Sequence, residues 1–246
     1  MADEFLRVER LTKSYGELEV LKDLSFTVQK GEFLCVVGPT GCGKTTFLSC
    51  LIGAQPVDSG SITMEGEAVD LKKRNIAYIM QEYSAMPWLT VRQNAAFGLM
   101  IRRVPKKQAD EAVDEVLELV GLSRFADYYP RQLSAGMLQR VAIARAFAVS
   151  PELLLMDEPY GQLDLDLRFR LEDELLKLCE KHNTTVIFIT HNIEEAVYLG
   201  QRVLVLTSKP TTIRDEVIID LPYPRDVADR DFVSLRTKIT EQIRWW

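Results

Sequence analysis

The stretch GPTGCGKTT at residues 38–46 carries the pattern G-x-x-x-x-G-K-[ST]. Glycines at Gly38, Gly41 and Gly43 let main-chain N–H groups of the loop wrap around phosphate oxygens. Lys44 offers a mobile positive charge to the outer phosphates, and the Thr45 hydroxyl suits Mg²⁺. Pro39, Thr40, Cys42 and Thr46 complete the loop that would hold the ligand. A second stretch, LLLMDEP at 153–159, ends an apolar run in two acids. Paired carboxylates at a strand end are common, and alone they mean little. Beside a phosphate-wrapping loop they define a hydrolytic site: Asp157 would hold the Mg²⁺ shell and Glu158 would polarise the attacking water.

Two more strand-like runs, YIMQ and VIFITH, end at Gln81 and His191. A histidine in that position is usually a satisfied surface residue. Here a His, a Gln and an Asp-Glu pair are delivered to the same rim as the loop, and that convergence favours chemistry. The stretch LSAGMLQRVAIARA at 133–146 holds no nucleophile and no metal ligand. It has two readings. Ser134 is an ordinary helix N-cap, or the free N–H groups and positive dipole end around Ser134 and Gly136 form a seat for an anion delivered from elsewhere.

The elements that must position these residues are those of an α/β protein. The strand FLCVV precedes the loop, and KTTFLSCLIG continues as a helix closed by Gly53. Residues 4–30 alternate apolar and polar residues and predict antiparallel strands ending at the Lys30-Gly31 turn. PVDSGSITMEGEAV reads as turn-rich, returning to strand at NIAYIMQ. From about 82 to 150 the pattern becomes helical, with Ala109, Val113, Val116, Leu117 and Val120 on one face of a helix stopped by Gly121. Strand signals resume at ELLLMDEP, TTVIFITH and RVLVL. The expected fold is a P-loop NTPase core built on a mostly parallel sheet, with an N-terminal antiparallel β subdomain and an inserted α-helical subdomain at about 82–150. Ligands of such sheets sit at the strand C-termini. The tail, about 208–246, holds a strand (DEVIID), a proline-rich turn (LPYPRD) and a last helix ending in Trp245-Trp246. The whole, 1–246, is expected to be one domain.

Composition narrows the function classes. The 246 residues are 47% hydrophobic and 27% charged with a net charge of −6, and no run of like charge stands out. Nucleic acid is therefore not the expected partner. Cys35, Cys42, Cys50 and Cys179 form no C-x-x-C pair and read as reduced thiols. The start, MADEFLRVER, lacks the basic and apolar regions of a signal peptide. FLCVVG and VIFIT are strand-length, far short of a membrane span. The expectation is a chain that stays in the cytosol and meets a membrane only through a partner.

Taken together, these residues resemble the nucleotide-binding subunit of an ABC transporter, and the likeness runs over essentially the whole chain. Lys44 and Asp157 fit the Walker A and B motifs, Gln81 the Q-loop, LSAGM the signature loop, Gly161 to Asp164 the D-loop and His191 the H-switch. Tyr15 lies where the family stacks an aromatic ring on adenine. The resemblance implies ATP and Mg²⁺ as cofactors, with Gln81 joining Thr45 and Asp157 around the metal. It implies a head-to-tail dimer in which each ATP lies between one chain's Walker A loop and the other's Ser134, Gly136 and Asp164. Further implied partners are a membrane-spanning permease and an extracytoplasmic solute-binding protein, with this chain peripheral at the cytoplasmic face. Two positions depart from the family: Ala135 replaces the first Gly of Leu-Ser-Gly-Gly, and Gln162 a more usual Ala.

QEYSAMPWLTVRQNAAFGL and IIDLPYPRD resemble the nitrate, sulfonate and taurine importer ATPases. In the first of these, Met86, Pro87 and Trp88 are either core packing or a groove for a helix of the permease. Other classes remain in view: an ABC ATPase exporting or importing lipid or another solute, and one acting on DNA or ribosomes. The latter would usually show paired modules, a coiled-coil insertion or a basic surface. A small-molecule P-loop kinase lacks the signature loop and the Asp157-Glu158 pair.

Overall fold

A computed structural model describes residues 4–81, 84–161, 163 and 165–243. In chain order the elements are β1 (Glu4–Tyr15), β2 (Leu18–Gln29), β3 (Phe33–Val37), α1 (Lys44–Leu51), β4 (Ser59–Met64), β5 (Glu67–Ala68) and β6 (Ile76–Ile79). There follow α2 (Val91–Ile101), α3 (Lys106–Leu119), α4 (Ala135–Phe147), β7 (Leu153–Asp157), α5 (Leu165–His182) and β8 (Thr185–Thr190). The chain closes with α6 (Ile193–Leu199), β9 (Arg202–Leu206), β10 (Ile213–Ile218) and α7 (Arg230–Ile243). Two compact units result, one of residues 1–74 with 185–246, the other of residues 75–184.

The first unit contains the antiparallel sheet β2-β1-β4-β5 and the strand series β10-β9-β3-β8. β3 runs parallel to both β8 and β9, and β10 pairs antiparallel to β9 at the edge. Every residue of β3 and β8 is buried. Strands covered on both faces must be apolar throughout, which is why FLCVV and TVIFIT show no alternation. β1 instead buries Phe5, Leu6, Val8 and Leu11 and exposes Arg7 and Glu9, as one-sided strands do. An ion pair of Arg202 with Glu32, 2.6 and 2.9 Å, ties the start of β9 to the turn entering β3.

The stretch read as turn-rich corrects one expectation, because Ser59–Met64 is the strand β4. Only Met64 in it is buried, so hydrophobic pattern could not announce it. Its ladder with β1, in which Leu6 faces Met64 and Val8 faces Ile62, does the holding. β1 bulges at Arg10 (φ +45), and a Cβ on Gly60 opposite would lie 2.4 Å from the Glu9 and Arg10 carbonyl oxygens. Only glycine fits there. Glu65 and Gly66, both at positive φ, then make the tight turn into β5.

In the second unit β6 and β7 pair in parallel, and α2, α3 and α4 lie between them in sequence. α3 buries Val113, Val116 and Leu117, with Ala109 half-buried, and Gly121 follows its end at φ +67. α4 buries Val141, Ala142, Ile143, Ala144 and Ala146, the small residues giving close approach. Thr90 and Gln93 form a capping box on α2. Behind it the buried Asn94 accepts from the Met86 N–H at 2.8 Å and donates to the Met86 and Leu89 carbonyls, fixing the turn that carries Trp88. Trp88 is 72% exposed, Pro87 exposed and Met86 half-buried, so core packing does not explain the tryptophan. Glu82 and Tyr83 of the same stretch lie outside the described residues, as do Trp245 and Trp246.

Candidate nucleotide site

The candidate residues divide between the two units. In the first, β3 runs straight into the loop 38–43 and α1. Gly41 and Gly43 take φ of +76 and +118, a region L-residues rarely enter. A Cβ on Gly43 would also lie 2.7 Å from Val20. No side chain caps α1, whose positive end opens directly from the loop. The Lys44 ammonium, buried at 5% exposure, donates to the Gly38 and Pro39 carbonyls at 3.0 and 3.2 Å. A phosphate entering the loop would meet this cation already held at the loop's centre.

Thr40 and Thr45 are exposed, Pro39 and Thr46 half-buried. Cys42 is buried and its carbonyl accepts from the Thr211 hydroxyl. Burial pushes its thiol up, opposed by the Lys44 charge, so it fills space within the loop and stays protonated. Tyr15 closes β1 with 46% of its surface exposed, and the Lys13 ammonium lies 5.4 Å from its ring centroid. His191 is the first residue after β8, exposed, one residue before the cap of α6.

In the second unit, Asp157 ends β7 at 4% exposure. The Tyr78 hydroxyl donates to its Oδ2 at 3.3 Å, and burial together with the Asp157 charge pushes the phenol far up. Tyr78 thus remains a donor, and it orients one carboxylate oxygen. Sequence reasoning missed it. The available signal was the alternation of β6, which buries Ala77 and Ile79 and puts Tyr78 on the other face. Glu158 is half-buried and stands at φ +46, with the Gln81 amide 3.4 Å from its Oε2. A left-handed backbone at a non-glycine residue costs about 1–3 kcal/mol and gathers at functional sites. Gln81 itself lies two residues beyond the end of β6.

Ser134 is extended (φ −72, ψ 164) and its hydroxyl accepts from the Met137 N–H at 3.4 Å, so the N-cap reading holds within the chain. Ala135 is already helical, and the residues with positive φ do not include it. The exchange of Gly for Ala at that position therefore strains nothing. Gly136 needs space instead: a Cβ would lie 2.4 Å from the Leu167 side chain. Gln162 and Asp164 lie outside the described residues.

Each of these groups, taken by itself, has chemistry that suits Mg²⁺ or a nucleotide phosphate. The metal candidates Thr45, Gln81 and Asp157 offer oxygen only, as a hard cation prefers. Among the described residues no cluster of three His, Cys, Asp or Glu could cage a metal alone. Mg²⁺ commonly shares its shell with substrate phosphates and keeps few protein ligands.

The fold is that of a P-loop nucleotide hydrolase. Residues 21–161 match the family described as ABC transporter, and the chain belongs to it. It is 43% identical over 238 residues to an uncharacterized ABC transporter ATP-binding protein of Methanocaldococcus jannaschii, covering 95% of this chain and 89% of that one. It is 40% identical over 230 residues to the aliphatic sulfonates import ATP-binding protein of Bacillus anthracis, covering 94% and 90%. Among solved structures, cbiO1 of Clostridium perfringens, part of an ABC transporter complex, superposes with TM-score 0.81 at 25% identity over 88% and 89% of the chains. A dimeric ABC transporter cassette in a post-hydrolysis state bound to ADP and phosphate gives 0.77 at 28% identity over 88% and 100%. The chain is thus an ATP-hydrolysing subunit of a transporter, working with ATP and Mg²⁺.

Proposed function

We propose that this ATPase drives import of a small anion, of the sulfonate, nitrate or taurine kind, through a membrane-spanning partner. The observation that carries the reading is the 40% identity to an aliphatic sulfonates import ATP-binding protein over 94% of the chain. Among the described residues no helix is long and apolar enough to cross a membrane. In this reading the chain, 1–246 as one ABC-type nucleotide-binding domain, sits peripherally at the cytoplasmic face. The exposed Trp88 on its fixed turn is the surface offered to the permease, and an extracytoplasmic binding protein supplies the anion.

Each residue has a role toward the nucleotide. Tyr15 stacks on adenine. The loop 38–46 wraps the phosphates, with Lys44 on the outer two. Thr45, Gln81 and Asp157 would hold Mg²⁺, which would supply charge neutralisation at the phosphates. Glu158 takes the proton of the attacking water and His191 contacts the γ-phosphate. Two copies pair head to tail, and Ser134, Gly136 and Asp164 of one serve the ATP of the other.

The test is reconstitution in proteoliposomes with the permease that co-purifies. ATP hydrolysis should rise when binding protein loaded with an alkanesulfonate, nitrate or taurine is added, and Glu158→Gln should lower it by roughly 10²–10⁴-fold while ATP still binds. Stimulation by a sugar or lipid and by none of the anions would overturn the solute class.

A further inference from the structure

The tail after β10 grips the helix that follows His191. Arg225 is 7% exposed and its guanidinium is spent on main-chain carbonyls. Nη1 donates to Val197 at 2.7 Å, Tyr198 at 3.1 Å and Gly200 at 2.6 Å. Nε reaches Leu221 at 3.2 Å and Nη2 reaches Ile219 at 3.5 Å. Val197 and Tyr198 belong to the last turn of α6, whose carbonyls have no partner within the helix and form its negative end. The Tyr223 hydroxyl donates to the neighbouring Leu199 carbonyl, and its ring lies 4.1 Å from the guanidinium.

The other end of α6 is fixed as closely. The Asn192 side chain accepts from the Glu194 and Glu195 N–H groups at 3.0 and 3.4 Å. The Thr190 hydroxyl accepts from the Asn192 N–H at 2.9 Å and donates to Glu195. From α7, Arg236 pairs with Glu194 at 2.8 Å. His191 sits between Thr190 and Asn192, so any tilt of α6 moves its main chain.

We propose that Arg225, with Tyr223 and Arg236, is a positioning device for His191: the tail clamps α6 at both ends and thereby sets where the imidazole stands. A planar guanidinium satisfies several carbonyls at once, and an ammonium at the same place would hold fewer. The catalytic half of the idea rests on the reading of His191 as a γ-phosphate contact.

The chain has two histidines, His182 and His191, so imidazole resonances of the full-length protein are assignable with His182→Gln. Arg225→Ala and the milder Arg236→Ala should each shift or broaden the His191 signal and leave His182 in place. Misplacing a reacting group by about 1 Å costs up to 10²-fold in rate. In Arg225→Ala kcat should accordingly fall by roughly 10-fold or more, with KM for ATP nearly unchanged and Arg225→Lys recovering part of the loss. Should Arg225→Ala fail to fold, Arg236→Ala and Tyr223→Phe carry the same readings. An unmoved His191 signal in the folded variants overturns the proposal, and so does a rise in KM with kcat intact. The His191 reading is tested separately, by the response of its signal in the wild-type chain to the Mg²⁺ complex of a non-hydrolysable ATP analogue and by kcat of His191→Ala. A silent signal and an intact kcat there would remove the γ-phosphate role and leave the clamp standing.

Discussion

Glu158, the proposed catalytic base, is a half-buried residue that stands at φ +46. If the strain is held for function, relieving it should stabilise the fold and abolish the chemistry. Glycine takes that φ freely but adds unfolded-state entropy of about 0.5–1 kcal/mol, against strain of about 1–3 kcal/mol. Glu158→Gly should therefore be no less stable than the wild type in urea unfolding, with hydrolysis lost. Clear destabilisation would place the residue's importance in packing. The phosphate loop, Asp157 and Glu158 were legible because each motif is local, with residue types and spacing that state their chemistry. The Tyr78 hydroxyl on Asp157 was not, since the partners are 79 positions apart and only the pairing of β6 with β7 joins them.

At the scale of the element, α4 decides how the family departure at Ala135 is read. Ala135 lies in the first turn of the helix, where alanine is favoured over glycine by about 0.5–1 kcal/mol. Ala135→Gly should restore the family's residue, cost about that much stability and leave kcat unchanged. A large gain in kcat would show that the position needs glycine's freedom after all. α5 ends at His182, whose imidazole burial pushes below its ordinary value while Glu115 pulls the other way. Its folded pKa lies below the unfolded one, so stability is full above about pH 6.5 and falls as the unfolded chain takes up protons below it. His182→Gln should flatten the loss between pH 7.5 and 5.5 seen in urea melts; an unchanged slope would assign it to other groups. Helices with strong periodicity such as α3, and buried strands such as β3, were legible for the reason that burial dictates their pattern. β4 was not, because its neighbour's ladder and the glycine opposite a bulge hold it.

On the scale of the whole molecule, Ser134 has a use within its own chain, as the cap of α4, and a proposed use toward the ATP of a second copy. The cap alone makes Ser134→Ala cost about 0.5–2 kcal/mol, so a simple loss of activity in that variant would not separate the two. Defined mixed dimers do, because the cap is lost once in each arrangement. Pair a Lys44→Ala copy with a Ser134→Ala copy: if sites form between copies, both lesions fall in one site and the other is whole. Place both substitutions in one copy beside a wild-type copy, and each shared site carries one lesion. The measurement is steady-state ATP hydrolysis by the two heterodimers, purified by separate tags and confirmed as dimers. The account predicts the faster rate from the pair with lesions split between copies, and a faster rate from the double-mutant and wild-type pair would contradict it.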